Sequence, residues 1–119
     1  MKSLLLQLAL VLFLVSVGHA SIKVLGSGEN MRLDTAGFPS SMKQGHDIIR
    51  SKCTKCHSAE RIIVAIQNGV TPISGQAFDR NAAKSLGVKM MRKSGGEISK
   101  EDLKPTMDLI TWLLNEAAN

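Results

Sequence analysis

Cys53-Thr54-Lys55-Cys56-His57 holds both cysteines of the chain and one of its three histidines. Two thiols three positions apart stand about one helical turn from each other. That separation lets them reach two vinyl groups on neighbouring pyrrole rings, and the next residue sets an imidazole beneath the iron of the same macrocycle. C-x-x-C-H is the attachment pattern of a covalent c-type haem, and a proximal imidazole is the usual haem ligand. The expectation is one haem c, bound through Cys53 and Cys56, with His57 as the proximal axial ligand. Two other chemistries compete for these residues. An exported Cys-x-x-Cys redox dithiol normally sits beside a βαβ pattern, and no alternating strand pattern occurs here. A structural zinc site takes four ligands, for which the chain offers Cys53, Cys56, His57 and, at most, His46.

The amino terminus bears on the choice. Met1-Lys2 is a short basic start, and Leu4 to Val17 is apolar apart from Gln7 and Ser16. Gly18-His19-Ala20 then has small residues at the two positions a signal peptidase reads. Residues 1–20 are laid out as a secretory signal peptide. The apolar run is shorter than the ~20 residues a spanning helix needs, and no cysteine near the cut could carry a lipid. No stable membrane anchor is expected after cleavage, the alternative being an uncleaved N-terminal anchor. Haem attachment takes place outside the cytoplasm, so the two signals support each other and point to a periplasmic or otherwise exported protein.

Cleavage after Ala20 leaves 99 residues, the size of one domain. Their aromatic residues are Phe38, Phe78 and Trp112. Aromatic groups usually dominate burial, and small domains often lean on a metal, disulfide or cofactor; a buried porphyrin would fill this core. The formal charge is +5, or +4 without Lys2. Lys43, Arg50, Lys52, Lys55 and Arg61 surround the cysteines, and Arg80, Lys84, Lys89, Arg92 and Lys93 form a second group. Such a surface serves solubility; it would also steer a redox protein partner with an acidic docking surface. Nucleic acid is a poor candidate, because no aromatic residues are interleaved with the basic ones.

Residues 21–40, with Gly26, Ser27, Gly28, Glu29, Asn30, Gly37 and Pro39, read as an irregular N-terminal extension rather than a packed element. Residues 41–119 carry the helical patterns. A first helix runs from a cap at Ser40 or Ser41 to about Lys52, its inward stripe Met42, Gly45, Ile49 and Cys53. A second runs from Ser58 to about Gln67, stopped by Asn68-Gly69. A loop with Pro72 and Gly75 follows. Asp79 caps a third helix to about Lys93, weakened at Gly87. Ser99 and Asp102 resemble a capping box for a last helix with the stripe Leu103, Met107, Ile110 and Leu114. Pro105 removes a backbone donor and should kink the first turns or mark the effective start. The fold class is all-α, with three to four short helices.

The opposite face of the iron needs its own ligand. His19 leaves with the signal. His46 lies about 10 Å back along the helix before Cys53, on the proximal side, and reads as a surface helix residue. Methionine is the better candidate and raises the reduction potential. Met42 and Met107 fall on apolar core stripes, and Met31 lies in the extension. Met90 and Met91 remain. Met90 shares a face with Ala83 and Leu86, which favours it, with Met91 as competitor.

With these motifs, residues 41–116 resemble the small bacterial class I c-type cytochromes, of the mitochondrial-cytochrome-c-like superfamily. Gly45-His46-Asp47-Ile48-Ile49 is similar to the family's approach to its haem motif, and Trp112-Leu113-Leu114 to its aromatic-Leu pair, where the last helix crosses the first. Met90, Gly95 and Ile98-Ser99 match the family's methionine-to-cap spacing. The resemblance implies a cytochrome c-like fold around one haem, no enzymatic activity, and one-electron transfer between redox protein partners. It also implies a loop carbonyl holding His57, with Pro72 or a neighbour as the candidate. The chain lacks the tryptophan often found ahead of the family's methionine, for which Phe78 would stand in. Other readings of a haem protein are a five-coordinate sensor or gas binder, and a subunit docked on a larger oxidoreductase.

Overall fold

Each of the four helical patterns becomes an α-helix whose ends follow local chemistry. The computed structural model describes residues 22–119, so the expected signal peptide at 1–20 lies outside the described residues. A 3₁₀ turn at Ser40–Met42 leads into α1, Lys43–Ser51; α2 is Glu60–Asn68, α3 Arg80–Lys93 and α4 Lys100–Ala118. The described chain is mostly helical, with one two-stranded sheet.

The caps explain the boundaries. Asp79 accepts a hydrogen bond from the Ala82 N–H at 2.8 Å and opens α3. Ser99 and Asp102 form the full reciprocal box at the start of α4. Gly69, at φ +69°, closes α2 in the left-handed conformation that glycine adopts without a Cβ penalty. Four details depart from the sequence pattern. α1 begins at Lys43 behind the 3₁₀ turn, with no side-chain cap from Ser40 or Ser41. α2 begins at Glu60 after Ala59, with no side-chain cap from Ser58. α3 continues through Gly87. α4 starts at Lys100 and not at Pro105, which is its sixth residue. The ring there forfeits only the bond to the carbonyl of Glu101, an exposed residue whose carbonyl water can serve.

The N-terminal segment is a correction. Instead of an irregular extension it holds a hairpin, β1 (Val24–Leu25) antiparallel to β2 (Arg32–Leu33), with Val24 opposite Leu33. Ile22 and Leu33 are buried in the main core. Strands of two residues show no periodicity, and the Gly- and Asn-rich turn between them dominates the local composition.

α4 runs through the centre, packed against α1, α2 and α3. Its Leu109, 0% exposed, and Leu113 meet Ile49, Ile63, Ile66 and Ala83; each such large side chain contributes about 1.5–3 kcal/mol on burial. α1 crosses α4 at Gly45. A Cβ there would overlap the Pro105 carbonyl oxygen and lie 2.9 Å from its carbon and 3.0 Å from Leu109 Cβ. Trp112 packs edge-on against Phe38, with centroids 5.1 Å apart.

Candidate functional site

Between α1 and α2 the chain tightens into a 3₁₀ turn, Cys53–Lys55, then Cys56 and His57. The Thr54 hydroxyl ties the turn back to the Arg50 carbonyl at 2.6 Å. This turn forms one wall of a cleft of about 690 Å³, within the roughly 300–1,000 Å³ typical of ligand sites. Ile49 of α1 and Thr106, Met107 and Ile110 of α4 also line it, with Ala83, Leu86, Gly87 and Met90 of α3. Ile62, Ala65, Phe78 and the 71–74 loop complete the lining. Cys53, Cys56, His57 and Met90 therefore share one predominantly apolar cleft. Met91 is not among its lining residues.

His57 is half-buried, and its Nδ1 lies 2.9 Å from the Ser58 carbonyl oxygen. A carbonyl only accepts, so Nδ1 carries a proton, and in the neutral ring Nε2 then presents its lone pair. A neighbouring backbone bond of this kind fixes the tautomer of a ligating imidazole. Ser58 takes the part expected of Pro72, which lies on the cleft's exposed edge.

The two cysteines are unbridged, Cys53 half-buried and Cys56 exposed. Burial pushes the Cys53 thiol up, the nearby Asp102 carboxylate adds to this, and Lys52 opposes it. Thiols that attack disulfides work from lowered values, so burial works against Cys53 acting as an attacking thiolate.

Several residues fall where the sequence did not put them. His46 is a partly covered helix residue: its side chain is 18% exposed and lies against the Phe38 ring, with centroids 5.9 Å apart. With Met31 it lines a separate concavity of about 880 Å³ behind Cys56 and His57, floored by the N-terminal hairpin. Met107, expected in the core, lines the cleft, with its Sδ 3.6 Å from where a Cβ on Gly87 would stand. A single apolar stripe on α4 serves both core and cleft, so periodicity could not separate the two. Phe78, the expected stand-in for a tryptophan, is buried and lines the cleft. Among the described residues no three His, Cys, Asp or Glu side chains are grouped to hold a metal ion.

The basic rim is also less uniform than its sequence. Lys52 donates to Asp102 at 2.6 Å, and Lys55 to Glu97 at 2.8 Å. The Lys52 bond, with the Ser99 N–H, holds the Asp102 carboxyl below the usual range, and the Lys55 bond does the same for Glu97. Both pairs tie the cysteine turn to the segment entering α4.

Compared with family models, curated proteins and solved structures, the chain gives no match.

Proposed function

We propose that this chain is an exported one-electron carrier with a cytochrome c-like fold and one covalent haem c. The observation that carries the reading is the shared cleft: Cys53, Cys56 and His57 on one wall and Met90 on another. The residues fit the group by chemistry as well as by place. The lining is mostly apolar, the Ser58 carbonyl engages Nδ1 of His57 and leaves Nε2 of the neutral ring available as a ligand, and burial disfavours a Cys53 thiolate. When bound, haem iron cycles between two oxidation states and so stores one electron.

The chain's own residues supply the rest. Cys53 and Cys56 would hold the ring, and the Ser58 carbonyl orients His57 through Nδ1. Met90 would supply the second ligand to the iron, and Thr106, Met107 and Ile110 of α4 would exclude water from that side of the cleft. The protein makes and breaks no substrate bond; it exchanges electrons with redox partners during brief encounters across a small interface.

A five-coordinate sensor is the second haem reading, since Met90 is the weaker half of the ligand set. The experiment is optical. In the oxidised protein the far-red iron–methionine band is expected in the parent and in Met91→Ala, and absent in Met90→Ala. A band that survives Met90→Ala but is lost in Met91→Ala or Met107→Leu would reassign the ligand. Absence of the band in the parent, with ready carbon monoxide binding, would favour the sensor.

A further inference from the structure

Each cysteine of the chain is preceded by a lysine, Lys52 before Cys53 and Lys55 before Cys56. Both lysines reach across to one short segment at the start of α4. Lys55 donates to Glu97 at 2.8 Å and Lys52 to Asp102 at 2.6 Å, across 42 and 50 positions of sequence. The other ion pairs among the described residues join neighbours, His46 with Asp47, or positions one helical turn apart, Lys104 with Asp108. All the long-range ion pairing among the described residues therefore ties the cysteine turn to this one segment.

The segment is the far end of the link from α3, whose last turn carries Met90. Gly95 and Gly96 stand side by side in that link at φ +64° and +95°, with nothing within 4 Å of where a Cβ would be. Glycine takes such backbone freely and brings no side-chain contact to hold it. On either side the chain is held. The Ser94 hydroxyl donates to the Met91 carbonyl at 2.7 Å and accepts from the Ile98 N–H at 3.0 Å, and Ile98 is buried and lines the cleft. An unpacked glycine pair cannot by itself set the distance between α3 and the cysteine wall, so the contacts beyond it must.

We propose that Glu97 and Asp102 are positioning residues for Met90. Through Lys55 and Lys52 they hold the link between α3 and α4 as a strap at the cysteine end of the cleft, and so fix how far Met90 stands from the wall carrying His57. That Met90 meets an iron there rests on the electron-carrier reading above; the strap itself does not. Releasing both pairs lets the link swing about Gly95 and Gly96, which widens the cleft and carries Met90 away. The two clasps are unequal. Lys55 and Glu97 are each more than half exposed, whereas the Asp102 side chain is largely covered, so dissolved salt screens the first and spares the second.

The test uses the exported full chain and reads hydrogen exchange of residues 94–102 by mass spectrometry, which works whether or not haem is present. The absorbance spectrum of each preparation reports the haem reading separately. Exchange in the parent should quicken about threefold from roughly 10 to 300 mM salt. Glu97→Gln should give that increase already at low salt and abolish the salt dependence, and K52Q/E97Q should exchange about tenfold faster than the parent. K55E places two carboxylates together and should quicken exchange about fivefold; the exchanged pair K55E/E97K should return to within about 1.5-fold of the parent. Ile63→Val, which lowers overall stability from the core of α2, should leave the strap within about 1.5-fold. In haem-containing preparations K52Q/E97Q should bind carbon monoxide about tenfold faster than the parent and show a weaker far-red band, following the same opening. The proposal fails if K52Q/E97Q exchanges like the parent, if K55E/E97K exchanges like K55E, or if Ile63→Val quickens the strap as much as K52Q/E97Q. It also fails if the haem-containing K52Q/E97Q protein keeps the parent's band and carbon monoxide rate while its strap exchanges faster.

Discussion

Replacing Gly45 by alanine pits two effects of known size against each other. Alanine is the better helix former by about 0.8–1.0 kcal/mol in a helix interior, and Gly45 lies inside α1. Against this, the new Cβ would overlap the Pro105 carbonyl oxygen and come within 2.9 Å of its carbon and 3.0 Å of Leu109 Cβ. Two of these three atoms are backbone, so no side-chain rotation relieves the contact and the helices must separate. Overpacking costs typically 1–3 kcal/mol, and a backbone obstacle places this case at about 3. The net loss is then about 2 kcal/mol, or roughly 8–16 °C in Tm for a domain of this size. Gly87→Ala in α3 is the control: its Cβ meets Leu103 Cδ2 and Met107 Sδ at 3.6 Å, ordinary contact. Helix propensity wins there, giving a gain of roughly 0.5–1 kcal/mol and a Tm rise of about 2–8 °C. Thermal melts by circular dichroism read both. A Gly45→Ala protein melting at or above the parent would refute the close crossing of α1 and α4.

Three further outcomes are expected. Asp79→Ala removes the side-chain acceptor for the Ala82 N–H and should cost about 1 kcal/mol in urea unfolding, the α3 signal fraying first. The Asp102 carboxyl is depressed by Lys52 and Ser99, so its stabilising effect is complete above the unfolded value near 4 and is lost as pH falls through the lower folded value. Asp102→Asn should therefore lower the urea midpoint at neutral pH and flatten the acid limb; an unchanged acid limb would remove Asp102 from its cause. Cys53→Ala and Cys56→Ala should each leave a single-thioether protein by mass spectrometry, and the double variant none.

The helices were legible because their caps are local: Asp79, Ser99 with Asp102, and Gly69 each act within a few residues. The hairpin was not, since two-residue strands leave no period to read and the burial of Ile22 and Leu33 depends on distant helices. The Cys53, Cys56 and His57 cluster was visible because its spacing is itself the chemistry. The Ser58 carbonyl bond, the cleft position of Met107 and the contact of His46 with Phe38 arise from backbone direction and tertiary packing. Charge counting likewise saw five basic residues near the cysteines but not that Asp102 and Glu97 engage two of them.

The central claim is a covalent haem on Cys53 and Cys56. Its most direct test is to express the full chain in a host that matures c-type cytochromes, denature it, extract with acidified acetone and weigh the remaining protein. One haem per chain should resist extraction, with a c-type absorbance spectrum in alkaline pyridine. A chain that retains no haem, or whose haem partitions into the acetone, would contradict it.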